Sequence, residues 1–78
     1  MLSMNTLAHL RKVVFRLSQR EFAIEIGVNQ STVSRWEAGE LEPSRSEMAA
    51  IRALAERRAI DWQDRWFFEA PPTPEAAA

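Results

Sequence analysis

The sequence predicts a compact all-α domain of five helices, and three observations carry that expectation. Glycine occurs only twice, at Gly27 and Gly39, and both positions fall between helical patterns, where a turn needs φ > 0. β-Branched residues never alternate with polar ones over the length of a strand. The pairs Ser18 with Glu21 and Ser44 with Glu47 have the spacing of capping boxes, in which each side chain satisfies an orphan backbone N–H of the other residue.

The first helix is expected over 5–16. Asn5 or Thr6 can cap it, and Leu7, Leu10, Val13, Val14 and Leu17 recur at helical spacing. Ser18 opens the second helix. Leu17 before the cap and Phe22 after it make a hydrophobic staple, and Phe22, Ala23 and Ile26 form one apolar face. Gly27 suits the left-handed residue that ends a helix.

Asn29 caps a third helix running from Gln30 to about Ala38, with Val28 and Val33 as its staple. Val33 and Trp36 face inward, so Trp36 is read as core and not as a base-stacking residue. Gly39 stops this helix, and Pro43 lies in the following loop. Ser44 caps the fourth helix, whose buried stripe is Met48, Ile51, Leu54 and Ala55. Asp61 caps a short fifth helix carrying Trp62, Trp66 and Phe67, ended by Pro71, Pro72 and Pro74. The domain is expected to occupy residues 1–69. Residues 70–78 read as a disordered Pro/Ala-rich tail, too polar to pack.

Composition bounds the chemistry. The chain has 78 residues, a formal net charge of −1, no cysteine and one histidine. One small domain fits that length, with modest stability that a partner would raise. Without cysteine there is no disulfide framework, thiolate nucleophile or cysteine zinc site. His9 reads as an exposed helix residue. No nucleophile stands beside a base, no metal-ligand cluster occurs and no Gly-rich phosphate loop is present, so neither an enzyme nor a cofactor is expected. No apolar run reaches the roughly 18 residues of a membrane span, and the N-terminus lacks a signal-peptide pattern. A cytoplasmic protein is the expectation.

The near-zero net charge hides a segregation. Residues 1–36 hold five bases against two acids, and residues 37–78 hold five bases against nine acids. The halves therefore carry +3 and −4, which suggests one basic working face.

That basic half contains the informative segment. Two helices joined by the short break Gly27-Val28-Asn29 make a helix-turn-helix layout, whose second helix enters the DNA major groove. Residues 30–35 read Gln-Ser-Thr-Val-Ser-Arg. With Val33 turned to the core, Gln30, Ser31, Ser34 and Arg35 are left to project outward. Gln can bond adenine N6 and N7 together, Arg can bond guanine O6 and N7 together, and Ser is adaptable. The free N–H groups and partial positive charge at a helix N-terminus suit a phosphate. Ser18-Gln19-Arg20 begins such a helix, and Arg16 and Arg20 flank it.

The run LSQREFAIEIGVNQSTVSRWEAGELEPS, residues 17–44, resembles the helix-turn-helix of the Cro/repressor (XRE-like) family. The resemblance rests on Leu17-Ser18-Gln19, Phe22-Ala23, Gly27, the polar helix Gln30 to Arg35, Trp36-Glu37-Ala38-Gly39 and Pro43-Ser44. It extends over about residues 7–56 and implies a lambda-repressor-like fold. It also implies roles. Gln19 would bind a phosphate, and Gln30, Ser31 and Arg35 would reach bases. Asn29 would touch the DNA backbone, as would Ser44 and Arg45 before the fourth helix, with Thr32 in the same phosphate-binding set. Glu37 would pair with Arg11 or Lys12. The chain departs from the family pattern in the turn after the first helix, where Phe15-Arg16 replaces the usual Gly. Leu10-Arg11 also sits about one residue further from Gln19.

The aromatics Trp62, Trp66, Phe67 and Phe68 crowd into seven residues. They are expected to form a homodimer interface, where aromatic anchors dominate; the other reading is completion of the monomer core. The function expected is a sequence-specific transcriptional regulator, an autoregulatory repressor on a pseudo-palindromic double-stranded DNA operator, with no room for a sensor domain. The alternative is an antitoxin, since Glu21-Phe22-Ala23 and Arg35-Trp36-Glu37-Ala38-Gly39 resemble the DNA-binding part of HigA- and MqsA-type antitoxins. The C-terminal aromatics would then serve a toxin protein.

Overall fold

The computed structural model describes residues 6–68. The expected cap Asn5 and the expected tail 70–78 lie outside them. Among the described residues every regular element is helical. Helix α1 spans Thr6–His9 and widens into a π-helical stretch, Leu10–Phe15. Three α-helices follow, α2 (Gln19–Ile26), α3 (Gln30–Glu37) and α4 (Arg45–Arg57). The expected fifth helix is a 3₁₀ turn, Asp64–Phe67.

Local chemistry places most of these boundaries. Ser18 accepts from the Glu21 N–H at 3.0 Å, and the Glu21 carboxylate accepts from the Ser18 N–H at 2.9 Å. The same reciprocal pair joins Ser44 and Glu47 at 3.2 and 2.8 Å. Gly27 sits at φ +78°, letting the Val28 N–H close back on the Ala23 carbonyl at 3.0 Å. Gly39, at φ +79°, does the same for Glu40 and Arg35. This left-handed closure satisfies carbonyls that the ended helix leaves over.

Two non-glycine residues adopt the same conformation, Arg16 at φ +57° and Ala59 at φ +56°. Ala59 lets the Ile60 N–H reach the Ala55 carbonyl, five residues back, at 2.9 Å. After Arg16 the Leu17 N–H reaches the Arg11 carbonyl, six residues back, at 3.0 Å. A π turn closes i→i+5 and so absorbs one more residue than an α turn.

The wide turn also changes which residues face inward. Leu7, Leu10, Arg11 and Phe15 are buried, whereas Val13, expected inside, is 37% exposed. His9, expected outside, is half-buried, with Nε2 shielded and without a hydrogen-bond partner. Thr6 does not cap α1; it lies within the helix, and its hydroxyl donates to the Phe67 carbonyl at 3.2 Å.

Phe22, Leu10, Ile51, Leu54, Val33 and Trp36 fill the centre, each almost wholly buried. The aromatic segment packs onto this core. Trp62 lies over Phe15 at 6.1 Å between ring centroids and meets Trp66 and Phe67 edge-on at 5.3 and 5.1 Å. Trp62, Trp66 and Phe67 are thus half-buried within one chain, and Phe68 stays 79% exposed. Asp61 caps nothing: the turn is led by Gln63 without a side-chain cap. Asp64 instead accepts from the Trp62 indole N–H at 3.0 Å. Here the packing of a large ring, and not a helix cap, dictates the backbone.

Candidate nucleic-acid interface

Helices α2 and α3 meet through the turn Gly27-Val28-Asn29 and share the apolar faces Phe22, Ala23 and Ile26 with Val33 and Trp36. Burying Val33 and Trp36 fixes the rotation of α3 about its axis. Its opposite side must then be solvent-facing, since positions three and four apart share one helix face. Gln30, Ser31, Ser34 and Arg35 are all exposed there, as the sequence pattern requires. Thr32 is half-buried and Asn29 exposed. Asn29 occupies the N-cap position at φ −78°, ψ 150°, but its side chain makes no capping bond. Its amide is therefore not committed to the helix it precedes.

A polar cluster joins the elements at the edge of this unit. Arg11 donates through Nε to Glu37 Oε2 at 2.6 Å and through Nη2 to Oε1 at 3.0 Å. Its Nη1 donates to the Leu17 carbonyl at 3.0 Å. Gln19 Nε2 donates to the same Glu37 Oε1 at 3.0 Å. One carboxylate thereby ties α1, the start of α2 and the end of α3. Of the two expected partners of Glu37, Arg11 makes the contact; Lys12 is exposed.

The electrostatics follow from burial against bonding. Burial pushes the Glu37 carboxyl upward, but hydrogen bonds from Arg11 and Gln19, with the charges of Arg11 and Lys12, outweigh it and hold it below the usual carboxylate range. The bond to Glu37 raises Arg11 in turn, against the opposing effect of burial. Both groups are charged at neutral pH.

The expected phosphate-binding residues fall into three settings. Gln19, half-buried, has its amide oriented by Glu37, which leaves a second N–H for another acceptor. Arg16, Arg20 and Arg45 are exposed cations, Arg20 in the first turn of α2 and Arg45 in the first turn of α4. The Ser44 hydroxyl is occupied as the cap of α4 and lies 3.2 Å from Ser46 Oγ. Other arginines are directed elsewhere: Arg57 and Arg58 pair with Glu25 at 3.6 and 3.8 Å, and Arg52 with Asp64 at 3.7 Å. Acidic residues thus face Arg52, Arg57 and Arg58, while Arg16, Arg20 and Arg45 stay exposed.

Among the contacts that the sequence reading missed, one lies on α3 itself. Arg35 lies 3.7 Å from Glu40 through Nε, and both side chains are 62% exposed. The signal was present in the Gly39 closure, which returns Glu40 to the last turn of α3.

Among the described residues no group of His, Asp and Glu could hold a metal ion, and no helix is long and apolar enough to cross a membrane. Compared with known proteins, the chain matches the model of one family, described as Helix-turn-helix, over residues 7–56. Neither a curated protein nor a solved structure shows a match.

Proposed function

Because the chain belongs to the helix-turn-helix family of Cro/repressor (XRE-like) type, it is a DNA-binding transcriptional regulator, and we propose that it acts as an autoregulatory repressor, a homodimer on a pseudo-palindromic operator. Helix α3 lies in the major groove, with Gln30, Ser31, Ser34 and Arg35 at base edges. Gln19, Arg20, Asn29, Thr32, Arg16, Ser44 and Arg45 contact the phosphate backbone and set the register.

The observation that carries this reading is the fixed, exposed polar face of α3. Two buried residues, Val33 and Trp36, orient the helix, and Gln30, Ser31, Ser34 and Arg35 stay exposed on its outer face. The segregated charge supports it, because the exposed cations of the first half suit phosphates and the acidic remainder would be repelled by them. Repression by occupying a promoter is the simplest mechanism for such a domain. Phe68, exposed beside aromatics that pack internally, is the anchor offered to a second copy.

Selection of bound sites from random duplex DNA tests the whole reading. The expected outcome is enrichment of two related half-sites about 34 Å, one helical turn, apart. Arg35→Ala is expected to weaken binding to the selected duplex far more than to random duplex. Equal losses on both would remove Arg35 from the base-reading set, and a selected motif without internal symmetry would remove the dimer.

A further inference from the structure

Arg35 stands in the last turn of α3, with a flexible side chain and a planar guanidinium that can approach guanine by more than one edge. What surrounds it decides which edge is offered. Gly39, at φ +79°, folds the chain back so that the Glu40 N–H bonds the Arg35 carbonyl at 2.9 Å. This backbone closure seats Glu40 directly over the turn that carries Arg35. The Glu40 carboxylate then lies 3.7 Å from Arg35 Nε. Two separate features, one in the backbone and one between side chains, bring the same two residues together.

An acid next to a DNA-reading arginine is unfavourable for phosphate binding, since it adds a negative charge beside a polyanion. Its position on the guanidinium gives it a different use. With Nε the nitrogen nearest Glu40, the end-on edge formed by the two terminal nitrogens is not the one that faces the carboxylate, and that pair can bond guanine O6 and N7 together. The acid also discourages Arg35 from turning to a phosphate, where it would add affinity without sequence information.

We propose that Glu40 is a positioning residue for base recognition: it takes the Nε edge of Arg35 and presents the terminal nitrogen pair to guanine. This rests on the reading of Arg35 as a base-contacting residue and extends it to specificity. Glu40 lowers overall affinity and raises the ratio of specific to non-specific binding.

The test compares the full chain with Glu40→Gln, Glu40→Asp, Arg35→Ala and the double variant Arg35→Ala/Glu40→Gln. The probes are the duplex recovered by selection from random DNA and a random duplex of equal length. Glu40→Gln is expected to bind random duplex at least as tightly as the parent. Its specific to non-specific ratio should fall about two- to fivefold, the range set by an exposed ion pair. Glu40→Asp should restore part of that ratio, and Glu40→Gln should not alter it once Arg35 is Ala. Thermal unfolding should be nearly unchanged, because both side chains are exposed. An unaltered ratio in Glu40→Gln, or the same fall with Arg35 already removed, overturns the proposal. If Arg35→Ala itself leaves the ratio intact, the base-reading role of Arg35 fails first, so the two failures are distinguishable.

Discussion

Arg11 and Glu37, 26 positions apart, meet in a two-pronged ion pair at 2.6 and 3.0 Å, with side chains only 9% and 11% exposed. The pair fastens the end of α3 to the π-helical stretch that follows α1. It also presents Gln19 at the start of α2, through the bond from its amide to the same carboxylate.

Removing either partner leaves a nearly buried charge without its counterion. Glu37→Ala and Arg11→Ala should each cost about 3 kcal/mol, within the range for broken buried pairs, read as a lower urea midpoint. The double variant should cost less than the sum, because no orphan charge remains. Costs below about 1 kcal/mol would match an exposed pair instead and reject the structural role.

Acid should loosen the same joint. In an unfolded chain Glu37 titrates in the usual carboxylate range, and in the folded protein it lies below that range. Its contribution is fully present above the unfolded value. Below it the unfolded chain binds more protons, so stability falls as pH drops through the folded value. Glu21, lowered by its bond to the Ser18 backbone, acts in the same direction. In urea unfolding between pH 5 and about 2, Glu37→Gln should show a shallower decline than the parent. Parallel curves would mean that Glu37 is not the group titrating.

Arg16 sits where a glycine would be unstrained, at φ +57°. Left-handed geometry costs a non-glycine residue about 1–2 kcal/mol, partly offset by the freedom glycine adds to the unfolded chain. Arg16→Gly should therefore raise stability by up to about 1 kcal/mol while weakening DNA binding through the lost charge. Ala59→Gly, at φ +56°, should stabilise to a similar extent with DNA affinity unchanged. Calorimetry with a binding titration separates the effects. A stabilised Arg16→Gly with full DNA affinity would leave Arg16 without a phosphate.

Backbone contacts should be visible in salt. Arg20→Ala should weaken specific and random duplexes alike and reduce the slope of log affinity against log salt by about 1. Gln19→Ala should weaken both with less change in slope, since its amide is neutral. An unchanged slope for Arg20→Ala would place that side chain away from phosphate.

The aromatic segment divides by burial. Trp62→Ala should cost about 1–2 kcal/mol, as for a half-buried ring, because its ring touches Phe15, Trp66 and Phe67, and it should lower the melting temperature even in dilute protein. Phe68→Ala should leave that temperature intact and shift sedimentation toward the monomer. A Phe68 variant that associates as the parent does would move the interface elsewhere.

Much of the site was legible because its determinants are local. The capping boxes at Ser18 and Ser44 join residues three apart, and Gly27 and Gly39 end helices by their own conformational freedom. The exposed face of α3 follows from one rotation, set by Val33 and Trp36. The misreadings have a different origin. A 3.6-residue period put Val13 inside, but the π turn replaced it with Arg11 and Phe15. Asp61 looked like a cap, but the docking of Trp62 set the backbone there.

From sequence alone, then, came the helical class, both ends of α2 and α3, the start of α4 and the exposed polar face of α3, since each depends on neighbours within one or two turns. Tertiary structure alone decided that Arg11 and not Lys12 meets Glu37 and that Arg16 takes a glycine's conformation. It also decided that three of the four clustered aromatics pack into their own chain. Those outcomes depend on how helices cross in space, where burying a charge or a ring outweighs about 1 kcal/mol of local backbone preference.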